Sequence, residues 1–262
     1  MGTFKGKVDF AKIPGHWVLA NLGKTVLRPG GIELTRAMLD TLDISSNGRV
    51  VEFAPGVGRT ARLTLSRNPL SYTAIEQDKE AAETVSAYLT GENQTCVVAD
   101  ARHTTLPDCS ATIVYGEAML TMQADSQKEK IMREAHRILQ SGGRYAIHEM
   151  SLLPEHVSPE YKATVQRDIS TVIRVNARPL TIEEWKALLE QSGFRILKVH
   201  TAPMHLLRVK RVIADEGILG TLRIGFNCMT RAGAFKRVLS MYRIFRKYES
   251  NLGAVSIIAE KN

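Results

Sequence analysis

Short apolar runs alternate with amphipathic stretches between residues 49 and 149 of this chain. Each run is rich in β-branched or aromatic residues and too short for a helix, which predicts buried strands. These runs lie at 49–53, 72–77, 95–100, 111–115 and 143–149. Apolar residues at helical spacing predict helices near 59–66, 79–89 and 125–140. The alternation is typical of a parallel sheet covered by helices on both faces, with ligand sites at the carboxyl ends of its strands.

The pattern changes after the fifth predicted strand. Residues 158–176 predict a helix, TIEEWKALLEQSGF at 181–194 predicts a capped amphipathic helix, and RILKVHTA and GAVSIIAEK predict two more strands. The segment between these two strands, 203–250, is too long for an ordinary loop and has helical patterning of its own. Before the sheet, an apolar and basic helix is predicted over 14–31, ending at a Pro-Gly-Gly break, and a second helix over 32–42.

The stretch VVEFAPGVGRTA, residues 50–61, places two glycines directly after the first predicted strand. Gly56 and Gly58 free the backbone for a tight turn, and a glycine turn that opens into a helix directs bare N–H groups at a ligand. GVGRTA fits GxGxxA, a form of the dinucleotide-binding pattern, and Glu76 ends the next strand about 20 residues on. A carboxylate there accepts hydrogen bonds from a ribose diol, which NAD and S-adenosylmethionine both carry, so this pairing leaves the two nucleotides open.

Four motifs in this order resemble those of the class I S-adenosylmethionine-dependent methyltransferases. VVEFAPGVGRTA resembles the family's first motif, with Glu52 as its acid and Ala54 where the loop usually has its first glycine. AIEQD resembles the acidic end of the second strand, VVADAR the adenine-contacting end of the third, and LQSGGRYAI the hairpin leading into the fifth. The resemblance covers roughly residues 45–200 and the final strand.

The resemblance implies an α/β fold of the Rossmann-like methyltransferase type, with a doubly wound, seven-stranded, mostly parallel sheet. We expect the cofactor-binding core to comprise residues 45–202 and 251–262, after an N-terminal helical lid over 1–44. A basic helical cap insertion is expected at 203–250, and residues 151–180 are expected to add to this cap over the substrate.

The resemblance also implies that S-adenosyl-L-methionine is the cofactor and S-adenosyl-L-homocysteine the product. The expected cofactor-binding residues are Glu52, Ala54, Gly56, Gly58, Glu76, Gln77, Asp100, Ala101 and Glu117. A zwitterionic cofactor tolerates Glu52 beside the glycine turn, whereas a pyrophosphate would be repelled by it. Glu76 is expected to hold both ribose hydroxyls. Asp100 is expected to accept a hydrogen bond from the adenine amino group, and Ala101 to offer its backbone N–H to the ring.

Methyl transfer is an in-line displacement, so the protein mainly supplies alignment, exclusion of water and sometimes a base. The candidate catalytic residues are Glu117, at the end of the fourth strand, and His148 on the fifth, which could be a general base at neutral pH; whether the reaction uses a base is not predicted. Because side chains alternate along a strand, one of His148 and Glu149 must face away from the site. His16 and Trp17 are expected to belong to the lid.

Charge is concentrated in the predicted cap. The net charge is +8, and residues 204–250 hold ten basic and three acidic residues, nearly the whole excess. The simplest interpretation is a cap helix with solvated charges, while an anionic or lipid-like acceptor and peripheral contact with a membrane stay open. Nucleic acid is not an expected partner, because the aromatic residues of this segment are spaced for helix packing. The oligomeric state is not predicted.

The expected function is transfer of a methyl group to a small organic molecule in the cytoplasm. Three scattered cysteines without a CxxC pair indicate neither a metal site nor a disulfide framework. No apolar run is long enough to cross a bilayer, and MGTFKGKVDF lacks the apolar core of a signal peptide. Two alternatives stay open: an NAD(P)-dependent oxidoreductase, whose Tyr-x-x-x-Lys group is not found, and a non-catalytic cofactor-binding protein with a basic partner surface.

Overall fold

A mixed sheet organises the part of the chain that the computed structural model describes, residues 9–262. Residues 1–8 of the predicted lid lie outside the described residues. The strands are β1 (Arg49–Phe53), β2 (Ser71–Glu76), β3 (Gln94–Val98), β4 (Ala111–Glu117), β5 (Leu139–Leu152), β6 (Leu180–Thr181), β7 (Phe194–Pro203) and β8 (Leu252–Lys261). Their order across the sheet is β3-β2-β1-β4-β5-β8-β7, and the two-residue β6 pairs with one end of β5.

The pairing of these strands confirms the predicted sheet. The strands from β1 to β5 pair in parallel with their neighbours, and β8 runs antiparallel to both β5 and β7. The sheet is therefore the expected seven-stranded, mostly parallel one, with β6 as a short addition. Its central strands are apolar at successive positions, as Ile257 and Ile258 are, because both faces of the sheet are covered.

Helices cover the two faces. They are α1 (Gly15–Leu22), α2 (Gly31–Leu42), α3 (Arg59–Leu65), α4 (Lys79–Ser86), α5 (Asp125–Ile138), α6 (Pro159–Ile173), α7 (Ile182–Gln191), α8 (Val209–Thr230) and α9 (Ala234–Lys247). One face packs on α5 and α7, where Ile131 and Trp185 are buried, and the other packs on α2, α3 and α4, where Met38 and Val85 are buried. The sheet is thus doubly wound, as predicted.

The first helix is shorter than the predicted span of 14–31. It ends at Leu22 because Gly23 adopts a left-handed conformation (φ 103°), and the amides of Gly23 and Lys24 bond back to the carbonyls of Ala20 and Leu19. A glycine at this position is a common helix terminator. The chain then runs without helix until α2 begins at Gly31, and this extended segment brings residues 24–30 across the top of the sheet.

The cap and the lid share a second core. Leu19 and Leu22 of α1 pack in one cluster with Val165 of α6 and with Met241 and Phe245 of α9. The helix α8 is kinked at Gly217 (φ 74°, ψ 173°), which separates a short first part from a second part over 218–230. None of the helices that the structure describes is long and apolar enough to cross a membrane.

Two carboxylates of α8 hold the extended segment of the lid. Asp215 is 3.2 Å from the Lys24 ammonium and accepts the backbone N–H of Ile32 at 2.9 Å, both in buried surroundings. Glu216 accepts the backbone N–H groups of Thr25 and Val26 at 2.7 and 2.8 Å. We call this set the lid–cap clamp. It satisfies N–H groups that have no strand partner, so the acids of this basic segment are structural rather than solvated.

Candidate active site

A cavity of about 600 Å³ lies at the carboxyl ends of β1, β2 and β4. Its floor is formed by the turn after β1 and by residues that follow β2, β3 and β4, and its roof by the lid residues His16, Trp17 and Leu27. Ligands of open parallel sheets bind at this edge. His16 and Trp17, two residues of the predicted lid, therefore border this cavity.

The turn after β1 has the backbone conformation that its glycines indicated. Gly56 adopts φ 55° and borders the cavity, and no atom lies within 4 Å of the position that a β-carbon would take there. Ala54 also borders the cavity and adopts φ 51°, a left-handed conformation that is costly for alanine. The turn thus keeps its form with alanine in the place of the family's first glycine.

Gly58 does not line the cavity itself, although its neighbours Val57 and Arg59 do, so its role in cofactor binding stays a prediction. A β-carbon at this position would lie 1.7 Å from the Tyr88 hydroxyl. The glycine is therefore required because Tyr88, 30 residues further along the chain, packs against the turn from below. This packing cannot be read from the GxGxxA pattern itself.

Glu76 ends β2 with its carboxylate at the cavity. Its two oxygens accept the backbone N–H groups of Gly56 at 3.2 Å and Asp78 at 3.1 Å, which fixes the carboxylate in place. Burial raises the pKa of Glu76, and these two hydrogen bonds oppose the rise. Gln77 follows at the rim of the cavity. A carboxylate held from behind in this way is preorganised to accept hydrogen bonds from a diol in front.

The segment after β3 forms the next part of the rim. Asp100 and Ala101 both line the cavity, and the Ala101 backbone N–H donates to no other group among the described residues. The Asp100 carboxylate forms a salt bridge with Arg102, whose hydrogen bonds lower the pKa of Asp100. Asp100 is therefore ionised, and its acceptance of an adenine amino group would be shared with Arg102.

Glu52 is a buried acid on β1 with one oxygen already engaged. Its Oε2 accepts the hydroxyls of Tyr72 at 2.5 Å and Tyr115 at 2.7 Å. Glu52 lines the cavity and is 3% exposed, and burial raises the pKa of its carboxyl group to about 7. An ammonium group next to Glu52 would favour the ionised form of its carboxylate. Glu52 is therefore a candidate partner for a cationic group of a ligand.

Glu117 joins the lid to the sheet. Its Oε1 accepts hydrogen bonds from Thr35 at 2.6 Å and His148 at 2.7 Å and lies 3.2 Å from Arg28, and its Oε2 accepts the Thr60 hydroxyl. Burial by itself raises the pKa of Glu117, but the Arg28 charge and the His148 contact outweigh it and lower the pKa to about 2. Glu117 borders the cavity as a fully committed acceptor.

His148 is not placed to act as the candidate general base. It is 0% exposed and does not line the cavity. Its Nδ1 faces Glu117 at 2.7 Å and its Nε2 faces the carbonyl of Pro29 at 2.6 Å. Both ring nitrogens therefore already have a partner within the protein, and neither faces the space in which an acceptor would lie.

Glu149 points to the opposite face, as the alternation along β5 predicted. Its carboxylate accepts three backbone N–H groups, those of Met119, Leu120 and Thr121, at 2.8 to 3.0 Å. Burial raises the pKa of Glu149 and the hydrogen bonds oppose the rise. Glu149 therefore shapes the turn after β4 from within the protein.

Arg28 is a candidate binding residue that the sequence analysis did not identify. Its Nε is 2.6 Å from the Thr35 hydroxyl and 3.2 Å from Glu117, so the guanidinium is held firmly. Arg28 is 7% exposed and borders the cavity, and its buried Nη2 makes no hydrogen bond. A guanidinium nitrogen without a partner can donate to a carboxylate, which makes Arg28 a candidate for the carboxylate of a ligand. The only sequence signal was a basic residue before a Pro-Gly-Gly break.

A second, smaller cavity adjoins the first. It measures about 80 Å³ and lies between the lid and the helices α6 and α9. Its walls are mainly apolar, with Ile173, Met241 and Phe245 among them. Four residues line both cavities: His16, Leu27, Ala118 and Met122. The larger cavity is lined by polar side chains that suit a nucleoside. The smaller cavity suits an apolar group that lies next to the shared residues.

The charged groups of the larger cavity fit the expected cofactor. Arg28 offers its free edge to a carboxylate, Glu52 can receive an ammonium group, and Glu76 can receive a ribose diol. The amino acid end of S-adenosylmethionine carries the first two of these groups and its nucleoside carries the third. A pyrophosphate fits this set less well, because Glu52 beside the glycine turn would repel it.

Known proteins share this architecture. Residues 51–147 match the family model of a methyltransferase domain. An uncharacterised protein of Haemophilus influenzae is 33% identical over 253 residues, which cover 94% of this chain and 98% of that protein. The 27-O-demethylrifamycin SV methyltransferase of Amycolatopsis mediterranei is 25% identical over 252 residues, which cover 94% of this chain and 88% of that enzyme.

A solved structure with the same fold is phosphoethanolamine N-methyltransferase 2 of Haemonchus contortus, in complex with phosphomonomethylethanolamine and S-adenosylhomocysteine. It aligns with a TM-score of 0.72 at 16% identity, over 94% of this chain and 57% of that chain. The chain therefore shares its fold with this structure, and its residues 51–147 form a methyltransferase domain of the class I, S-adenosylmethionine-dependent type.

Proposed function

We propose that this protein transfers a methyl group from S-adenosylmethionine to a small, largely apolar organic acceptor. The observation that carries the proposal is the pair of adjoining cavities, one polar and one apolar, with four lining residues in common. The cofactor supplies a methyl group activated by its sulfonium. The protein then has to align an acceptor atom with that methyl group and keep water out.

We assign the larger cavity to the cofactor along its length. Asp100 and Ala101 receive the adenine, Glu76 the ribose, and Glu52 and Arg28 the ammonium and carboxylate of the amino acid end. This direction agrees with the order of the residues along the sheet, from β3 through β2 to β1 and β4. It brings the reactive centre near Ala118 and Met122, where the two cavities meet.

His16 is the residue best placed to orient the acceptor. It borders both cavities, and its ring nitrogens make no hydrogen bond within the described residues. Burial lowers the pKa of His16 to about 4, so the imidazole is neutral near pH 7. A neutral imidazole accepts a hydrogen bond from an O–H or N–H group and so directs the lone pair of that group at the methyl carbon. In this proposal His16 takes the position that the sequence analysis gave to His148.

Water is excluded by the lid and the cap. The buried lid–cap clamp fixes the segment between α1 and α2 against α8, and this segment carries Leu27 and Arg28 over the cavity. The predicted division into lid, core and cap corresponds in this proposal to a cofactor-binding core with a two-part roof. A closed, dry site is what an activated methyl group needs to avoid hydrolysis.

The first test is calorimetric titration of the protein with S-adenosylmethionine, S-adenosylhomocysteine and NAD. We expect micromolar binding of the first two, and about a 100-fold loss of affinity in Glu76→Ala, where two hydrogen bonds to a charged acceptor are removed. Glu80→Gln, at an exposed acid in the first turn of α4, is the matched control and should bind normally. Binding of NAD alone would favour the oxidoreductase alternative.

The second test is turnover. We expect release of S-adenosylhomocysteine with small apolar acceptors that carry a hydroxyl or amino group, measured by mass spectrometry. His16→Phe, which keeps the ring but not its acceptor, should bind the cofactor and lose most of the turnover. Tight cofactor binding with no turnover across a wide acceptor panel would support the non-catalytic alternative instead.

A further inference from the structure

The outer face of α8 after its kink is an exposed apolar strip. Its members are Ile218, Leu219, Leu222, Phe226 and Met229, which are between 65% and 83% exposed. At 100° per residue these five positions fall within about 100° of the helix circumference, so they form one continuous face. We call it the α8 outer face. Large exposed apolar surfaces of this kind commonly mark an interaction site.

The opposite side of the same helix is fully used. Cys228 is buried in the core shared by lid and cap, Ile224 packs against that core, and Asn227 donates to the carbonyl of Leu22 at 2.9 Å. The helix is therefore fixed in its orientation by its inner side. Its outer side is exposed to solvent and is free to contact a partner.

The charge around this face selects the kind of partner. Residues 217–247 contain seven basic residues and no acidic one. Within the described residues, Arg223, Arg231, Lys236 and Arg243 form no ion pair, and all four are exposed. A second copy placed on this face by a two-fold axis would bring these like charges together, which is unfavourable. A surface of negative charge with an apolar interior satisfies both the strip and the charges.

We propose that the α8 outer face docks on an anionic lipid bilayer. Its apolar side chains enter the boundary between headgroups and acyl chains, and the exposed Lys236 and Arg243 contact the anionic headgroups. Arg223 and Arg231 also donate to the carbonyls of Gly23 and Asn21, and they add to the positive potential of this surface. Phe235, at the start of α9 and 59% exposed, extends the apolar surface. The protein lies on the membrane surface in this arrangement, and none of the helices in residues 9–262 is long and apolar enough to cross it.

The experiment is sedimentation of the full chain with vesicles, in the absence of cofactor and acceptor. The probes are vesicles of phosphatidylcholine alone and vesicles that also contain phosphatidylglycerol. We expect at least tenfold stronger binding to the anionic vesicles, and loss of most of that binding at high salt. The readout does not depend on methyl transfer, so it stands whether or not the proposed function holds.

Variants of the exposed face separate docking from unspecific attraction. Leu219→Gln and Phe226→Gln should each weaken binding to anionic vesicles about tenfold or more. Leu70→Gln, at an apolar position that is 50% exposed on another part of the surface, is the matched control and should bind as the parent does. All three should keep the parent's unfolding temperature, because the replaced side chains are exposed.

Three outcomes would overturn the proposal. One is no binding to anionic vesicles at low salt. Another is an equal loss of binding in Leu70→Gln. The third is a concentration-dependent dimer that Phe226→Gln dissociates, without any vesicle binding by the parent, which would assign the face to a second copy of the chain.

Discussion

Replacing Glu117 by glutamine should cost the protein a large part of its stability. The carboxylate accepts contacts from Thr35, Thr60, His148 and Arg28, and its side chain is 6% exposed. The glutamine amide has one acceptor oxygen and one NH₂ donor group. The groups that donate to one of the two carboxylate oxygens would therefore face the NH₂ group, which cannot accept their hydrogen bonds. Removing one partner of a buried ion pair costs about 3 to 5 kcal/mol.

The lowered pKa of Glu117 gives an independent magnitude. Its fall from 4.5 to about 2 corresponds to about 3 kcal/mol, at about 1.4 kcal/mol per pKa unit. Because the folded-state pKa is the lower one, this stabilisation is fully present above the unfolded value of 4.5 and is lost as the pH falls towards about 2. The two estimates agree, and both apply to the free energy of unfolding near neutral pH.

The assay is thermal and urea unfolding followed by circular dichroism. At about pH 7 we expect Glu117→Gln to unfold about 10 °C below the parent, since about 3 kcal/mol shifts a chain of this size by that amount. The difference should fall by about half near pH 3, where the unfolded carboxylate is already protonated. Glu80→Gln, at an exposed position, should not differ from the parent.

Two results would refute this reasoning. A variant that unfolds within about 2 °C of the parent at neutral pH would mean that Glu117 is not the acceptor on which the cluster depends. A large difference that stays constant down to about pH 3 would mean that the loss is steric rather than electrostatic.

Four further predictions concern ligands and the backbone. Arg28→Met should weaken S-adenosylmethionine binding about 100-fold by leaving its carboxylate unpaired, whereas Arg36→Met, at an exposed position of α2 that does not line the cavity, should change it less than about threefold; calorimetry checks both. Since burial raises the pKa of Glu52 to about 7, cofactor affinity should increase as the pH rises through about 7 and level off above it, and Glu52→Gln should flatten this profile. Val175→Phe, which fills the smaller cavity, should raise the acceptor KM at least about tenfold and leave the cofactor Kd unchanged in parallel kinetic and calorimetric measurements. Ala54→Gly should raise the free energy of unfolding by up to about 1 kcal/mol, because it relieves the left-handed conformation of Ala54. A lower free energy of unfolding for this variant, measured by urea denaturation, would mean that Ala54 is not strained.

The acids at the strand ends could be predicted from the sequence because their positions follow from local pattern. Glu52, Glu76 and Asp100 each end or follow an apolar run, and parallel strands bring such ends together at one edge. The same holds for the helix that begins at Thr181, where the capping box is visible in four consecutive residues and is formed in the structure.

The remaining site residues depend on contacts between distant parts of the chain. Arg28 reaches the site only because the segment after α1 folds back over the sheet, and no periodicity marks such a segment. The alternation along β5 showed that one of His148 and Glu149 would face the lid side, but not that the Pro29 carbonyl would cover His148 there. Likewise, Gly58 is fixed by Tyr88, which the glycine pattern does not contain.

The lid–cap clamp has a consequence for the order in which the protein assembles. Lys24 and Asp215 are 191 residues apart, so their contact must wait until the intervening strands have paired. The roof of the site is therefore a late-forming cooperative unit, and native-state hydrogen exchange should show the amides of Thr25, Val26 and Ile32 opening together with α8. If ligands leave through the roof, exchange of cofactor and product requires the same opening. The rate of this local unfolding is then an upper limit on the rate of turnover.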